Sequence, residues 1–405
     1  MDTITGLATD ERTARIALAV LVATDDPVTG RLLGLVGAVE TVRLLMTDGP
    51  VPTMDRTAAA LWRRHMRTDA SVEVVRAAMT TTDTLGFGTL IPGDTDFPAS
   101  LGDLGDRTPY VLWTKGTTSL LAGPLHDRFT ITGARACTNY GTQVTQMLAS
   151  ELAYEEKVLV SDGGFGIGAV VHSVTLAIGG DTVAVLGGGL DCPHPIAHRE
   201  LLERIGDRGL LVSEIPPGSV LTYARFLART RIEAALSGSI TIVEAAPRSL
   251  ASPAAQCAHD LGRPVGAVPG PVTSATSIGT HRLLQTGIAS LVTDAADLMR
   301  LVDRPPAAYR FHLAIRYADR RTRGGRDLPS IGTVRHSYDN AMTDSVIGST
   351  RPSASAVMPP LRTRRRTRTG RPDLGRLVQH RPPTPRSTTS HQRRTRPTLY
   401  AAGTR

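Results

Sequence analysis

The chain has 405 residues, 46 basic and 37 acidic for a formal net charge of +9, and is 41% apolar but only 4% aromatic. That length leaves room for two or three domains with cores built from Ala, Val, Leu and Ile. No run approaches the roughly 20 apolar residues of a membrane span, Asp2, Asp10 and Glu11 do not suit a secretion signal, and Cys137, Cys192 and Cys257 are too scattered for a disulfide framework or a paired metal knuckle, so the expectation is a cytoplasmic protein with no membrane, metal or cofactor.

The charge is unevenly placed. From Arg351 onward, fourteen arginines and one acid, Asp373, contribute +13, which leaves residues 1–350 at −4. Affinity for nucleic acid in the globular part must therefore come from local arginines and not from whole-domain charge.

In chain order, residues 1–80 read as a small helical domain. Arg15–Ala23 is apolar and helix-compatible, Asp26-Pro27 is a start signal for a run through Leu35, and Val39–Met46 and Arg56–Met66 carry apolar residues at helical spacing. Two short helices joined by Gly34–Gly37 would make a helix-hairpin; a packing or partner-docking domain is the stronger reading of the segment. Residues 91–116 are dense in Pro, Gly and Asp, a loop-rich approach with a short strand at Tyr110–Trp113.

Strands are expected at Phe129–Thr132, Lys157–Ser161, Thr182–Leu186, Leu210–Ser213, Ser239–Val243, Pro264–Val268 and Ser290–Val292. Helical runs separate them, the clearest at Gly141–Glu155. Such alternation predicts a doubly wound, mostly parallel, Rossmann-like α/β sheet over residues 81–304. After Asp303 the pattern fails. Residues 305–405, rich in Arg, Thr, Pro and Ser, predict a disordered basic tail suited to phosphate backbones; unselected GC-rich sequence would have the same composition.

Three strand-to-helix turns bear on function. Ligands of open parallel sheets sit beyond the carboxyl ends of the strands, so Gly133–Arg135, Ser161–Gly168 and Gly187–Asp191 should line one crevice. Gly133, Gly163, Gly164, Gly166, Gly187, Gly188 and Gly189 let backbone N–H groups approach an anion, and Arg135 offers a guanidinium for phosphate. The run 223–237 adds Arg225, Arg229 and Arg231 around Phe226, a pattern suited to single-stranded nucleic acid, where bases stack on aromatics. Phe165 is a second stacking candidate. Neither a G-x-G-x-x-G fingerprint nor a Walker lysine is present, and Lys157 lies at the start of its strand and cannot reach a ligand at the other end. His172, His194, His198 and His281 lack ligand spacing, and no carboxylate is spaced to form a triad with Ser161 or Ser213, so no catalytic site is expected.

The order of TGARACTNYG, VSDGGFGIG, VAVLGGGLDCPHP, VSEIPPGS, RFLARTRIEAALS, IVEAA and GRPVGAVPGPVTSATSIGTHRLLQTG, preceded by FPASL and TPYVLWTKG, resembles the DNA-processing protein A (DprA/Smf) family over about residues 91–300. The resemblance implies a non-enzymatic recombination mediator: a homodimer of extended Rossmann domains that binds single-stranded DNA and loads a RecA-type recombinase in transformation. It maps the family's first loop to Gly133–Arg135, its second to Ser161–Gly168, its third to Gly187–Asp191 and its RNRI motif to Arg229–Ile232. This chain departs from the pattern at Asp162, Gly168, Thr230 and His194 and in the PRSLASPAA loop after Glu244, departures that imply weaker DNA binding than in the relatives. Two alternatives stay open, a dimeric scaffold that has lost DNA binding and a nucleotide phosphoribohydrolase of the lysine-decarboxylase-like type, for which Glu244 is the available acid.

Overall fold

The computed structural model describes residues 3–66 and 71–303; the expected basic tail, 305–405, lies outside the described residues. The chain opens with α1 (Ile4–Leu7), α2 (Glu11–Leu21), α3 (Pro27–Met46), α4 (Arg56–Met66) and α5 (Val72–Thr84). Asp10 caps α2 by accepting from the Thr13 amide at 2.9 Å, and Asp26 caps α3 ahead of Pro27 at its first turn. The expected joint between two short helices is a kink inside α3 at Gly37, where the Ala38 amide donates to Glu11 Oε2 at 2.9 Å. Helix α5 was not legible, because its Val and Thr content argues against a helix. It is held by burial of Val75, Ala78 and Thr82 and by Trp113 Nε1 donating to Thr82 Oγ1 at 2.9 Å.

Then follow β1 (Gly88–Leu90), β2 (Leu112–Gly116), β3 (Arg128–Thr132), α6 (Asn139–Tyr154), β4 (Val158–Asp162), α7 (Ile167–Ala177), β5 (Thr182–Val185), α8 (Arg199–Arg208), β6 (Leu210–Ser213), α9 (Tyr223–Leu236), β7 (Ser239–Ile242), α10 (Ala251–Asp260), β8 (Val265–Ala267), α11 (Ile278–Gln285), β9 (Ser290–Leu291) and α12 (Ala295–Asp303). Among the described residues these strands form one sheet in the order β1-β2-β6-β5-β4-β3-β7-β8-β9. Strands β3 to β9 run parallel, as expected, while β1 and β2 are antiparallel at one edge. Strand β1 is too short to show in sequence. Strand β2 begins later than expected, because Thr114, Lys115 and Gly116, polar enough to read as loop, pair with Val212, Leu211 and Leu210.

The N-terminal helices are packed against this antiparallel edge. Leu18, Leu45 and Val75 share one apolar cluster with Trp113, Ala184 and Leu202. The chain winds outward from β3 through β4, β5 and β6, then returns to place β7 on the other side of β3. That reversal opens the crevice between the carboxyl ends of β3 and β7, where ligands of such sheets bind.

Candidate nucleic-acid interface

The turns after β3, β4 and β5 gather at the carboxyl edge. Gly166 (φ +75°) explains how the first two can touch: a Cβ there would fall 2.2 Å from the Ala134 carbonyl oxygen and 2.3 Å from that of Arg135. Ile167 N, at the start of α7, donates to Ala134 O at 3.2 Å. Gly187 lies against the α9 backbone, where a Cβ would meet Phe226 Cα at 3.2 Å; Gly188 faces Leu221, and Gly189 faces Pro216 and Asp191. Gly163 is buried against Leu186 and Leu202, and Gly164 sits beside Asp162. Ser161, also buried, donates from Oγ to the Ile131 carbonyl at 2.6 Å and so braces β3 from within the sheet.

Helix α9 starts from Thr222, whose hydroxyl accepts from the Arg225 amide at 3.3 Å. Phe226 and Arg229 share one face at i and i+3, and Arg225 lies beside Arg229 at i and i+4. Phe226, 7% exposed, has two guanidinium carbons near its ring, Arg135 Cζ and Arg229 Cζ, each 4.2 Å from the centroid. Of the two, Arg135 is exposed. Half-buried Arg225 donates to the Val220 carbonyl at 2.7 Å. On the neighbouring turn Phe165 is 47% exposed and meets the His198 ring edge-on at 4.4 Å.

Two of the arginines expected at phosphates are otherwise engaged. Arg229, 5% exposed, has Nη2 3.0 Å from Asp162 Oδ2 and Nε 3.0 Å from Glu233 Oε1, the latter without hydrogen-bond alignment. Arg231 is 2% exposed and makes a bidentate pair with Glu214, both bonds 2.6 Å, and its Nε lies 2.9 Å from Asp25 Oδ1. The reason is geometric. Residues two apart on a helix point roughly 200° from one another, so Arg229 and Arg231 cannot both face the crevice, a constraint legible in their spacing. Phe226 is likewise a buried platform and not a free stacking surface. Arg135 and Phe165 therefore remain as the exposed cation and the exposed aromatic of these turns.

Burial sets the titration of two groups nearby. It pushes the Glu233 carboxyl up to about 7, against the pull of Arg229. This is consistent with a triad of one cation and two acids in which the deeper acid keeps its proton. Burial pushes the His172 imidazole down to about 4; its Nε2 donates to the Asp162 carbonyl at 3.0 Å, and its Nδ1 lies 2.7 Å from Thr182 Oγ1. His172 is thus a core residue that ties β4 to β5.

At the switch point itself sits Glu244, 2% exposed. It accepts from Thr138 N at 2.8 Å, Thr138 Oγ1 at 2.6 Å and Thr276 Oγ1 at 2.9 Å. A glycosidic-bond hydrolase would need this acid turned toward substrate, whereas here both oxygens are committed to the protein. Among the described residues no cluster of His, Cys, Asp and Glu is arranged to hold a metal ion, and no helix is long and apolar enough to cross a membrane.

The chain is similar to known proteins in sequence and in fold. Residues 88–303 match the family described as DNA recombination-mediator protein A. A DprA-type DNA processing protein of Mycobacterium tuberculosis is 39% identical over 278 residues, covering 64% of this chain and 70% of that protein. The DNA processing protein DprA of Streptococcus pneumoniae is 35% identical over 206 residues, 51% of this chain and 71% of its own length. The X-ray structure of DprA from S. pneumoniae superposes with a TM-score of 0.57 at 25% identity, covering 74% of this chain and 98% of that one.

Proposed function

Because the chain belongs to the DNA recombination-mediator protein A family, we propose that it binds single-stranded DNA along the carboxyl edge of its parallel sheet and acts by binding, without a chemical step of its own. The observation that carries this reading is Arg135, an exposed residue whose guanidinium is held over the Phe226 ring on a turn that abuts the turn bearing the exposed Phe165. A cation for phosphate beside an aromatic face for a base suits an unpaired strand, whose bases are free to stack, better than a duplex. The acidic balance of residues 1–350 makes the contact local.

The finer reading is that of a mediator which protects single strands in the cytoplasm and hands them to a RecA-type recombinase, working as a homodimer. Support for it comes from family membership. Light scattering at tens of micromolar tests the dimer, because a specific interface of standard size is filled at that concentration.

The binding reading is tested by fluorescence anisotropy of the full chain and its Arg135→Ala variant with single-stranded and duplex oligonucleotides across a salt series. The wild type is expected to prefer the single strand, and Arg135→Ala to flatten its salt slope by about 0.7. Equal binding of both DNA forms, unchanged by the substitution, would assign the affinity to the basic segment 305–405 and replace this reading of the folded domain with the scaffold alternative.

A further inference from the structure

The turn that carries Arg135 meets one residue at both ends, Glu244, the second residue after β7 on the far side of the switch point. At its near end Gly133 lies against the Glu244 backbone: a Cβ there would fall 2.7 Å from Glu244 O and 3.1 Å from Glu244 N. At its far end Thr138, the N-cap of α6, donates both its amide and its hydroxyl to the Glu244 carboxylate. Gly141, in the first turn of α6, leaves space for that carboxylate, since a Cβ would come within 2.3 Å of Oε2. Thr276 Oγ1 donates to the same carboxylate at 2.9 Å, and Ala245 N donates to Thr276 O at 2.7 Å, so the loop after β8 is joined to the clamp.

A helix N-terminus at the switch point of a parallel sheet is where such folds hold an anionic ligand. Here the anion is the protein's own. Glu244 makes no hydrogen bond to Arg135, which lies between the point where the turn packs against the Glu244 backbone and the point where it is bonded to the Glu244 carboxylate. A turn packed at one end and bonded at the other holds the guanidinium over Phe226 before DNA arrives, and this lowers the ordering cost of the phosphate contact.

We propose that Glu244 is a positioning residue for single-stranded DNA binding, acting through Arg135 by occupying the anion site at the N-terminus of α6. The proposal rests on the DNA-binding reading given above, and the test separates the two.

In a double-mutant cycle, the full chain, Arg135→Ala, Glu244→Gln and the double variant are titrated with a single-stranded oligonucleotide across salt. Glutamine keeps the shape of the side chain but turns an NH2 group toward one or two of the three converging donors. Arg135→Ala is expected to weaken binding about tenfold, the loss of one charge-assisted contact. Glu244→Gln should weaken it by a similar factor and flatten the salt slope by the same amount, about 0.7. Combined, the two should cost little more than either alone, because a group that acts through Arg135 has nothing to act on once Arg135 is gone. Additive losses, or Glu244→Gln leaving the slope unchanged, overturn the positioning role. If Arg135→Ala itself changes nothing, the DNA-binding reading fails first. Thermal unfolding monitors the fold of each variant; should Glu244→Gln not fold, Thr138→Ala, which removes the hydroxyl leg of the clamp, enters the same cycle with the same expected non-additivity.

Discussion

Arg229 Nη2 lies 3.0 Å from Asp162 Oδ2, so the acid at the end of β4 engages an arginine that the sequence places toward DNA. Asp162 also accepts from the Gly164 amide at 3.3 Å and thereby sits within the glycine turn that an incoming phosphate would approach. The pair is nearly desolvated, with side-chain exposures of 6% and 11%. Breaking it to free Arg229 would leave a buried charge uncompensated, which is strongly unfavourable.

Asp162→Asn is therefore expected to tighten single-stranded DNA binding about fivefold at low salt, the effect of removing one like charge worth about 1 kcal/mol near a phosphate. Removing the Asp162 charge takes away one cause that raises the Glu233 carboxyl, so Glu233 ionises more readily and becomes the counter-ion to Arg229, and asparagine can still accept from Gly164. Anisotropy at two salt concentrations checks this. Unchanged or weaker binding would mean that Asp162 organises the turn and does not oppose DNA.

Arg231 predicts a loss of stability. Its bidentate pair with Glu214 and its approach to Asp25 join α9, the segment after β6 and the N-terminal helices in one buried network. Glu214→Gln leaves the arginine underpaired and should cost about 3–5 kcal/mol in urea unfolding. Salt dependence of DNA binding, measured where the variant is folded, should stay at the wild-type slope, because Arg231 contacts no phosphate.

The two aromatics should behave differently. Phe165→Ala removes an exposed face and is expected to cost about 1–3 kcal/mol of single-strand affinity while leaving the salt slope intact. Phe226→Leu removes the platform beneath Arg135, so it should lower both affinity and slope, toward the values of Arg135→Ala. Identical effects from the two substitutions would contradict the separation into stacking face and platform.

The pH dependence of stability follows from two buried groups of opposite sign. His172, depressed to about 4, contributes stability that is present above its unfolded pKa near 6.5 and is lost as pH falls toward 4. Glu233, raised to about 7, contributes stability that is present below its unfolded pKa near 4.5 and is lost as pH rises toward 7. Between about pH 4.5 and 6.5 the two slopes oppose each other, and their joint contribution is nearly flat. Glu233→Gln removes one of them, so the variant should lose about 1 kcal/mol per pH unit on acidification across that window. Urea midpoints at three pH values decide it; a flat profile in Glu233→Gln would show that His172 does not carry the slope.

The parallel sheet and its crevice were legible in sequence because both depend on local features. Short β-branched runs such as Val158–Asp162 end on glycine where helices begin, and that period alone fixes which turns lie at the carboxyl edge. Motif order identified the family for the same reason. The tertiary structure decided which arginines are available. Asp162 lies 67 residues before Arg229, and Glu214 lies 17 before Arg231, so the partners that engage these guanidiniums come from other elements of the fold. Burial was also invisible locally: Phe226 and Phe165 look alike as aromatics beside arginine and glycine, yet only packing against the β5 turn covers the first and leaves the second open. Position in the chain reveals which turns meet; only the folded protein reveals which charges there are already neutralised, because the pairing of a buried charge is fixed by desolvation and distance between segments remote in sequence.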